Sequence, residues 1–131
     1  MRSTANLCAV HRKTGMNSHT TTRNQVNLGT GYGWTNKALA DEAIIHFKGY
    51  LNQESNGDDA MISIATALRA AREGKFERIR ATDGHFACVL EESSSVVVAV
   101  DRVRSIPLLL APLPGGGWII ADHAEPIVKT L

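Results

Sequence analysis

The sequence predicts an α+β protein, a layered sandwich of mainly antiparallel β-sheets with flanking helices. A run of four strands fills the second half of the chain, and a strand followed by an amphipathic helix precedes that run. The apolar stretches VVVAV, PLLLA and WII are almost uninterrupted, which favours strands covered on both faces over a sheet with one solvated side. The fold is therefore expected to place a layer on each side of a sheet.

Turn-forming residues divide the second half of the chain into its four strands. The divisions are a serine run at 93–95, a charged Asp-Arg-Val-Arg corner that begins at Asp101, and Pro114 followed by three glycines. The predicted strands are 84–90, 95–102, 106–113 and 118–121.

A strand and a helix are predicted ahead of this run. Residues 41–51 favour the strand, and Asp58 or Asp59 can cap a helix that continues to Glu73 and stops at Gly74. The apolar face of that helix carries Met61, Ile64, Leu68 and Ala71. A last short helix is predicted at 125–130, because Pro126 suits a first helical turn.

Composition and charge favour a single-domain protein without a nucleic-acid or membrane partner. The chain has 131 residues, 44% apolar content and a net charge of +1. It contains no run of the roughly 20 apolar residues that span a bilayer, so we expect a cytoplasmic location. Residues 1–25 carry Arg2, Arg12, Lys13 and Arg23 and no acid. They are predicted to be a flexible basic arm, and residues 26–131 the folded domain.

Cysteines and histidines do not have metal-ligand spacing. Neither C-x-x-C nor H-x-x-x-H occurs, and the glycine-rich segment 27–34 lacks the motifs of dinucleotide sites and P-loops. We therefore expect no metal and no cofactor. Cys88 lies in an apolar strand and is interpreted as a buried thiol, and Cys8 as part of a short strand or of the arm.

The late strands carry motifs of a known family. The sequence G-H-F-A after Asp83, the corner D-R-V-R-S-I-P-L and the segment A-D-H-A-E-P-I resemble the glutaminase domain of class II glutamine amidotransferases, the asparagine-synthetase type. Asp101, Arg102, Pro107 and Leu108 match the family's corner, whereas Val100 replaces its leading arginine. Asp122-His123 stands where Ser-Glu is usual. The resemblance covers about residues 44–128 and implies an Ntn-hydrolase-like fold.

The resemblance also implies a substrate site. The family forms its oxyanion hole from an Asn-Gly-Glu strand end, where this chain has Lys48, Gly49 and Tyr50. An acidic residue precedes the family's next helix, so Asp59 is a candidate ligand for an amino acid, and Asp83 is a further candidate beside it. Asp101 and Arg102 are expected to form a structural corner, as an ion pair that positions two strands. Lys48 is interpreted either as an anion-binding group or as a solvated side chain.

Family chemistry requires an N-terminal cysteine as nucleophile, and here Met-Arg-Ser begins the chain and Lys48 replaces the oxyanion asparagine. We therefore expect a glutamine-amidotransferase-like domain without hydrolytic activity, which serves as scaffold or regulatory partner of an ATP-dependent amide-forming synthetase. The family's Ser-Gly-Gly-x-Asp-Ser loop is missing from this sequence, so an asparagine-synthetase-like partner protein would supply the ATP chemistry. The apolar late strands would dock that partner or a second copy of the chain.

Two alternatives remain open. Processing after Leu7 would expose Cys8 with a free amine, which would make the chain an active glutaminase with Cys8 as its catalytic residue. The third interpretation is a binding module that holds glutamine or a related amino acid near Gly49, Asp59 and Asp83 without turning it over.

Overall fold

The computed structural model describes residues 7–12, 24–29, 31–52 and 58–131. Within these residues the strands are β1 (Leu7–Arg12), β2 (Gln25–Asn27), β3 (Thr35–Ala38), β4 (Ile44–Leu51), β5 (Gly84–Glu91), β6 (Ser95–Val100), β7 (Leu109–Pro112) and β8 (Trp118–Ala121). The helices are α1 (Asp58–Arg72), α2 (Glu77–Ala81) and α3 (Glu125–Thr130), and a 3-10 turn covers Ala40–Glu42. The predicted α+β class is confirmed.

The strands form two sheets. The larger sheet has five strands in the order β1-β6-β5-β4-β3, and every neighbouring pair in it is antiparallel. The smaller sheet has the order β2-β8-β7, with β2 parallel to β8 and β7 antiparallel to it.

The larger sheet lies between a helical layer and the smaller sheet. Side chains of β5 alternate between its two faces, as they must in a pleated strand. Phe86 and Leu90 belong to the core that includes Ile64 and Leu68 of α1. Val89 belongs to a second core, with Ile120 of the smaller sheet. The prediction of strands covered on both faces is therefore confirmed for β5 and also for β6, whose residues are all buried.

Helix α1 buries one face, as its spacing predicts. Its buried residues include all four that the sequence placed on the apolar face. Acidic residues occupy its first turn and arginines its last, which complements the helix dipole. The helix ends at Arg72, and Gly74 follows in the left-handed conformation with φ +85°. None of the helices in the described part of the chain is long and apolar enough to cross a membrane.

Three predicted strands are shorter in the structure than expected. The strand predicted at 95–102 ends at Val100, before the buried Asp101. The strand predicted at 41–51 begins at Ile44, because Asp41 and Glu42 have positive φ angles of 66° and 62° in the preceding turn. The strand predicted at 106–113 is reduced to Leu109–Pro112, since Pro107 has no N–H to donate to a ladder.

Strand β1 lies inside the segment that was predicted to be a flexible arm. Its residues pair with β6 from Leu7↔Val100 to Arg12↔Ser95, so these six residues belong to the larger sheet and the prediction needs correction there. Residues 1–25 are polar and basic as a whole, but β1 itself begins with the apolar run Leu7-Cys8-Ala9-Val10, which is compatible with a place in a sheet. The rest of the predicted arm lies outside the described residues, apart from Asn24 and Gln25.

Glycines allow β4 and β5 to approach closely. Gly49 pairs with Phe86 and has φ +107°, and a Cβ at this position would overlap the carbonyl oxygen of His85. Gly84 of β5 likewise lies close to β4, because a Cβ at this position would overlap the carbonyl oxygen of Tyr50. Gly49 therefore has a structural reason to be glycine that is independent of any oxyanion role.

Replacement of Gly49 should destabilise the fold. Gly49→Ala forces an unfavourable φ and a backbone overlap, which together should lower the free energy of unfolding by about 2–5 kcal/mol. Gly115→Ala is the matched control, because a Cβ there meets no atom within 4 Å, and it should change stability by less than about 0.5 kcal/mol. Urea denaturation of both variants measures the difference. Equal stabilities would contradict the close approach of β4 and β5.

Candidate functional site

One edge of the larger sheet gathers most of the residues that the sequence singled out. Because neighbouring strands are antiparallel, the end of β4, the start of β5, the end of β6 and the start of β1 share this edge, as the pairs Leu51↔Gly84 and Ala87↔Val100 show. Asp83 precedes β5 and Asp101 follows β6. Two cavities lie near this edge, one on each face of the sheet.

The first cavity, the Asp83 cleft, lies on the helical face and has a volume of about 200 Å³. Its lining consists of Leu51, Ser63, Ala67, Arg78, Ala81, Thr82 and Asp83. The carbonyl oxygen of Asp83 accepts a hydrogen bond of 2.8 Å from the N–H of Asn52, which fixes this residue against the end of β4.

One carboxylate oxygen of Asp83 is buried without a hydrogen-bond partner among the described residues. This atom, Oδ1, is the single buried side-chain oxygen or nitrogen of that part of the chain to lack one. A buried acceptor without a donor costs roughly 1–3 kcal/mol. A ligand that brings an N–H or an ammonium group to Oδ1 would recover this free energy.

A cation also lines this cleft. Arg78 is exposed on α2 and forms no ion pair with the described residues, while Thr82 donates its hydroxyl proton to the carbonyl oxygen of Arg78 at 2.9 Å. The cleft thus offers an acceptor at Asp83 and a guanidinium group at Arg78. This pair of charges is complementary to a small zwitterion.

The second cavity, the Lys48 cavity, lies on the opposite face and has a volume of about 210 Å³. Its lining consists of Tyr32, Lys48, Ile106, Pro107, Asp122 and His123. Phe47 and Leu51 of β4 pack in the core under α1. Because side chains alternate along a strand, Lys48 projects to the other side, toward the smaller sheet.

Asp122 is held by three donors at the rim of this cavity. Its Oδ2 accepts hydrogen bonds from the N–H of Gly29 at 2.9 Å and from Trp34 Nε1 at 3.0 Å, and its Oδ1 lies 2.6 Å from His123 Nδ1. Burial raises the pKa of Asp122, but the hydrogen bonds from His123, Gly29 and Trp34 outweigh it and hold the pKa below its usual value.

The ionised Asp122 fixes the orientation of His123. A carboxylate only accepts hydrogen bonds, so Nδ1 of His123 carries the proton that it donates to Asp122. The other ring nitrogen, Nε2, takes no part in this hydrogen bond. Glu125, which the sequence grouped with this pair, instead forms an ion pair of 2.8 Å with Lys129. The polar cluster at the end of β8 therefore consists of Asp122 and His123.

The structure separates the predicted substrate residues. Asp83 lines the Asp83 cleft, whereas Gly49 and Asp59 are not part of its lining; Asp59 lies one helical turn before Ser63, which is. Lys48 lines the cavity on the other face. The roles of Tyr32, Ser63 and Arg78 were not predicted, because these residues come together only through packing between distant elements.

Cys8 lies three strands away from β4. Cys8 pairs with Ala99 of β6, Ala99 pairs with Cys88 of β5, and Cys88 pairs with Phe47 of β4. Strands in a sheet are spaced by about 4.8 Å, which puts the backbone of Cys8 roughly 16 Å from that of Gly49. A nucleophile and an oxyanion donor must lie within a few ångströms of the same reacting carbonyl group.

Asp101 organises the corner at the end of β6. Its side chain is 0% exposed, and it accepts hydrogen bonds from the N–H groups of Phe86, Val103 and Ser105 at 2.9, 3.0 and 3.1 Å, and from the Ser105 hydroxyl. Burial raises the pKa of Asp101, but the Ser105 hydroxyl and the three N–H groups outweigh it and hold the pKa below its usual value.

The expected ion pair at this corner is not what positions the strands. Arg102 is exposed and forms no ion pair with Asp101 in the described structure. Backbone N–H groups and a hydroxyl take the place that the sequence interpretation gave to the guanidinium group. The structural part of the interpretation therefore applies to Asp101.

Comparison with models of known families, with curated proteins and with solved structures gives no match to this chain.

Removal of the Asp101 charge should destabilise the fold and change its pH dependence. Asp101→Asn should lower the free energy of unfolding by about 3 kcal/mol, since a buried amide replaces an acceptor of four hydrogen bonds. The folded-state pKa is depressed, so the contribution of Asp101 is present above the ordinary value of 3.8 and is lost as the pH falls below it. Urea denaturation between pH 7 and pH 3 measures both effects.

Glu77→Gln provides the control for this prediction, because it removes one exposed carboxylate from α2. It should follow the wild-type pH profile, whereas the Asp101→Asn profile should be flatter in the acid range. Parallel profiles for Asp101→Asn and wild type would show that Asp101 does not carry this charge-dependent stability.

Proposed function

We propose that the chain is a cytoplasmic glutamine-amidotransferase-like domain with an Ntn-hydrolase-like fold and without hydrolytic activity. In this proposal it acts as scaffold or regulatory partner of an asparagine-synthetase-like protein, which uses ATP to form an amide bond. The observation that carries the proposal is the buried Asp101 corner between β6 and β7, in the motif through which the sequence resembles that family.

The order of elements supports the family assignment. Strand β4, which carries Gly49 near its end, is followed by α1, and the helices α1 and α2 by a series of strands in two sheets. Pro107 and Leu108 follow the Asp101 corner and lead the chain into the smaller sheet. This order of elements is the one that the resemblance implies for residues 44–128.

The positions of Cys8 and Lys48 support the loss of hydrolysis. The backbone of Cys8 lies roughly 16 Å from Gly49 by strand spacing, too far for a shared carbonyl group. Lys48, which replaces the family's oxyanion asparagine, projects toward the smaller sheet and away from the helical layer. A thiolate on β1 would thus have no oxyanion donor from β4.

A tagged form of the chain expressed in its native cells should co-purify with a protein that contains a Ser-Gly-Gly-x-Asp-Ser loop. Mass spectrometry of the cross-linked eluate identifies such a partner. The same preparation should release no ammonia from glutamine above buffer, and an electrophilic glutamine analogue should leave its intact mass unchanged.

Two results would reject this proposal. A chain that starts at Cys8 and gains one label would make it an active glutaminase. An eluate without an ATP-using synthetase would remove the scaffold role. Gly115→Ala is a suitable control bait, because the substitution lies in an open turn and should preserve the interaction.

A second candidate function is amino-acid binding in the Asp83 cleft. The unpartnered Oδ1 of Asp83 favours it, because an α-ammonium group would supply the missing donor while Arg78 holds the α-carboxylate. The cleft volume of about 200 Å³ accommodates an amino acid of the size of glutamine. Binding here would be compatible with a regulatory role.

Glutamine should bind saturably to the wild-type protein, and Asp83→Asn should weaken the affinity at least about tenfold, because the charged acceptor is lost. Glu77→Gln changes the net charge equally on the neighbouring helix and should leave the affinity unchanged. Isothermal titration calorimetry measures all three. Equal affinities of wild type and Asp83→Asn would exclude the cleft as the amino-acid site.

A further inference from the structure

We infer that the Lys48 cavity is a binding site for a small organic carboxylate with an apolar body. The inference concerns the face of the larger sheet opposite the Asp83 cleft and does not depend on the proposed function. It rests on the half-buried Lys48, which forms no ion pair with the described residues, on a carboxylate whose two oxygens accept three hydrogen bonds, and on the apolar residues of the same lining.

Lys48 carries a positive charge that no described carboxylate neutralises. Lys37 and Lys129 each form an ion pair, with Asp58 and with Glu125, whereas Lys48 forms none with the described residues. Lys48 is half-buried. An anion in the cavity would meet an ammonium group that has no ion-pair partner among the described residues.

Asp122 does not act as the missing counter-ion. Its side chain is 8% exposed, and its two oxygens accept three hydrogen bonds from Gly29, Trp34 and His123. These donors hold the carboxylate in place, and it forms no ion pair with Lys48. His123 keeps Nε2, and Tyr32, whose ring centroid lies 6.4 Å from that of His123, provides a second polar group at the mouth of the cavity.

The apolar part of the cavity lining indicates which chemical class of anion fits. Ile106 and Pro107 form an apolar wall, and the ring of Tyr32 adds an aromatic surface. A cavity of roughly 150 Å³ is enough to hold benzene, and this one measures about 210 Å³. An aromatic or short aliphatic carboxylate would use both the wall and the charge, whereas inorganic phosphate would leave the apolar wall exposed to water.

The experiment is a titration of the protein with benzoate, followed by the indole N–H signals in NMR. Trp34 Nε1 donates to Asp122 beside the cavity, and Trp118 lies outside the cavity lining. Benzoate should shift the Trp34 signal saturably and leave the Trp118 signal in place. Benzamide has nearly the same shape without the charge, and it should bind at least about tenfold more weakly. Inorganic phosphate should also bind more weakly than benzoate.

Three variants assign the effect to Lys48. Lys48→Gln should weaken benzoate binding at least about tenfold, and Lys48→Arg should retain most of it. Lys75→Gln removes the same charge from an exposed position at the end of α1 and should bind like wild type. If Lys48→Gln does not fold, the comparison of benzoate with benzamide on the wild-type protein shows whether binding depends on the charge of the ligand.

Three results would overturn the inference. These are equal binding of benzoate and benzamide, an equal loss in Lys75→Gln and Lys48→Gln, and a shift of Trp118 without a shift of Trp34. A phosphate affinity above that of benzoate would likewise reject an organic carboxylate as the ligand class.

Discussion

The buried carboxylate of Asp101 is the interaction on which the rest of the structure depends. It lies where the chain leaves the larger sheet, and its hydrogen bonds join the start of β5 to the loop that follows β6. Without these bonds the N–H groups of Phe86, Val103 and Ser105 would lack their observed acceptor. The direction in which the chain crosses to the smaller sheet is thereby set, and with it the position of Ile106 and Pro107 in the Lys48 cavity.

The central strands β5 and β6 are the reason that the fold is layered. Because β5 and β6 are buried on both faces, they require a cover on each side, and α1 and the smaller sheet provide these covers. Both layers bound a cavity near the same sheet edge. Within the described part of the chain, the helical layer yields a cleft whose acceptor has no hydrogen-bond partner, and the second sheet yields a cavity whose lysine has no ion-pair partner. The two faces are therefore suited to ligands of different charge.

Sequence analysis predicted the parts of the fold whose stability is local or strongly apolar. Helix α1 has a regular apolar spacing, and β5, β6 and β8 are runs of buried residues between clear turns. Strand β3 was not predicted, because its four residues, TNKA, are mostly polar and its place is set by pairing with β4. Strand β2 and helix α2 were missed for the same reason: tertiary contacts decide them and their own residues do not. The segment of β1 was interpreted as a short strand or as part of the arm, and its place in the larger sheet was not predicted.

For the candidate sites, too, the sequence identified residues beside local motifs and did not identify contacts between distant segments. Lys48, Asp83 and Asp101 were singled out because they stand beside recognisable motifs, although the motifs did not show that Lys48 and Asp83 serve opposite faces. The partners of Asp122 could not be predicted, since Gly29 and Trp34 are 93 and 88 residues away along the chain. A single sequence contains no local pattern from which contacts of that separation can be read.

The parallel pairing of β2 with β8 has a consequence for the order of folding. Asn24 accepts a hydrogen bond from Trp118, 94 residues later in the chain, and among the described strands β2 pairs with β8 alone. On the ribosome, the N-terminal side of the smaller sheet must therefore wait until almost all of the described chain has been made. The larger sheet and α1 can assemble before that point, so we expect the Lys48 cavity to form last and to be the part of the molecule most sensitive to interrupted synthesis.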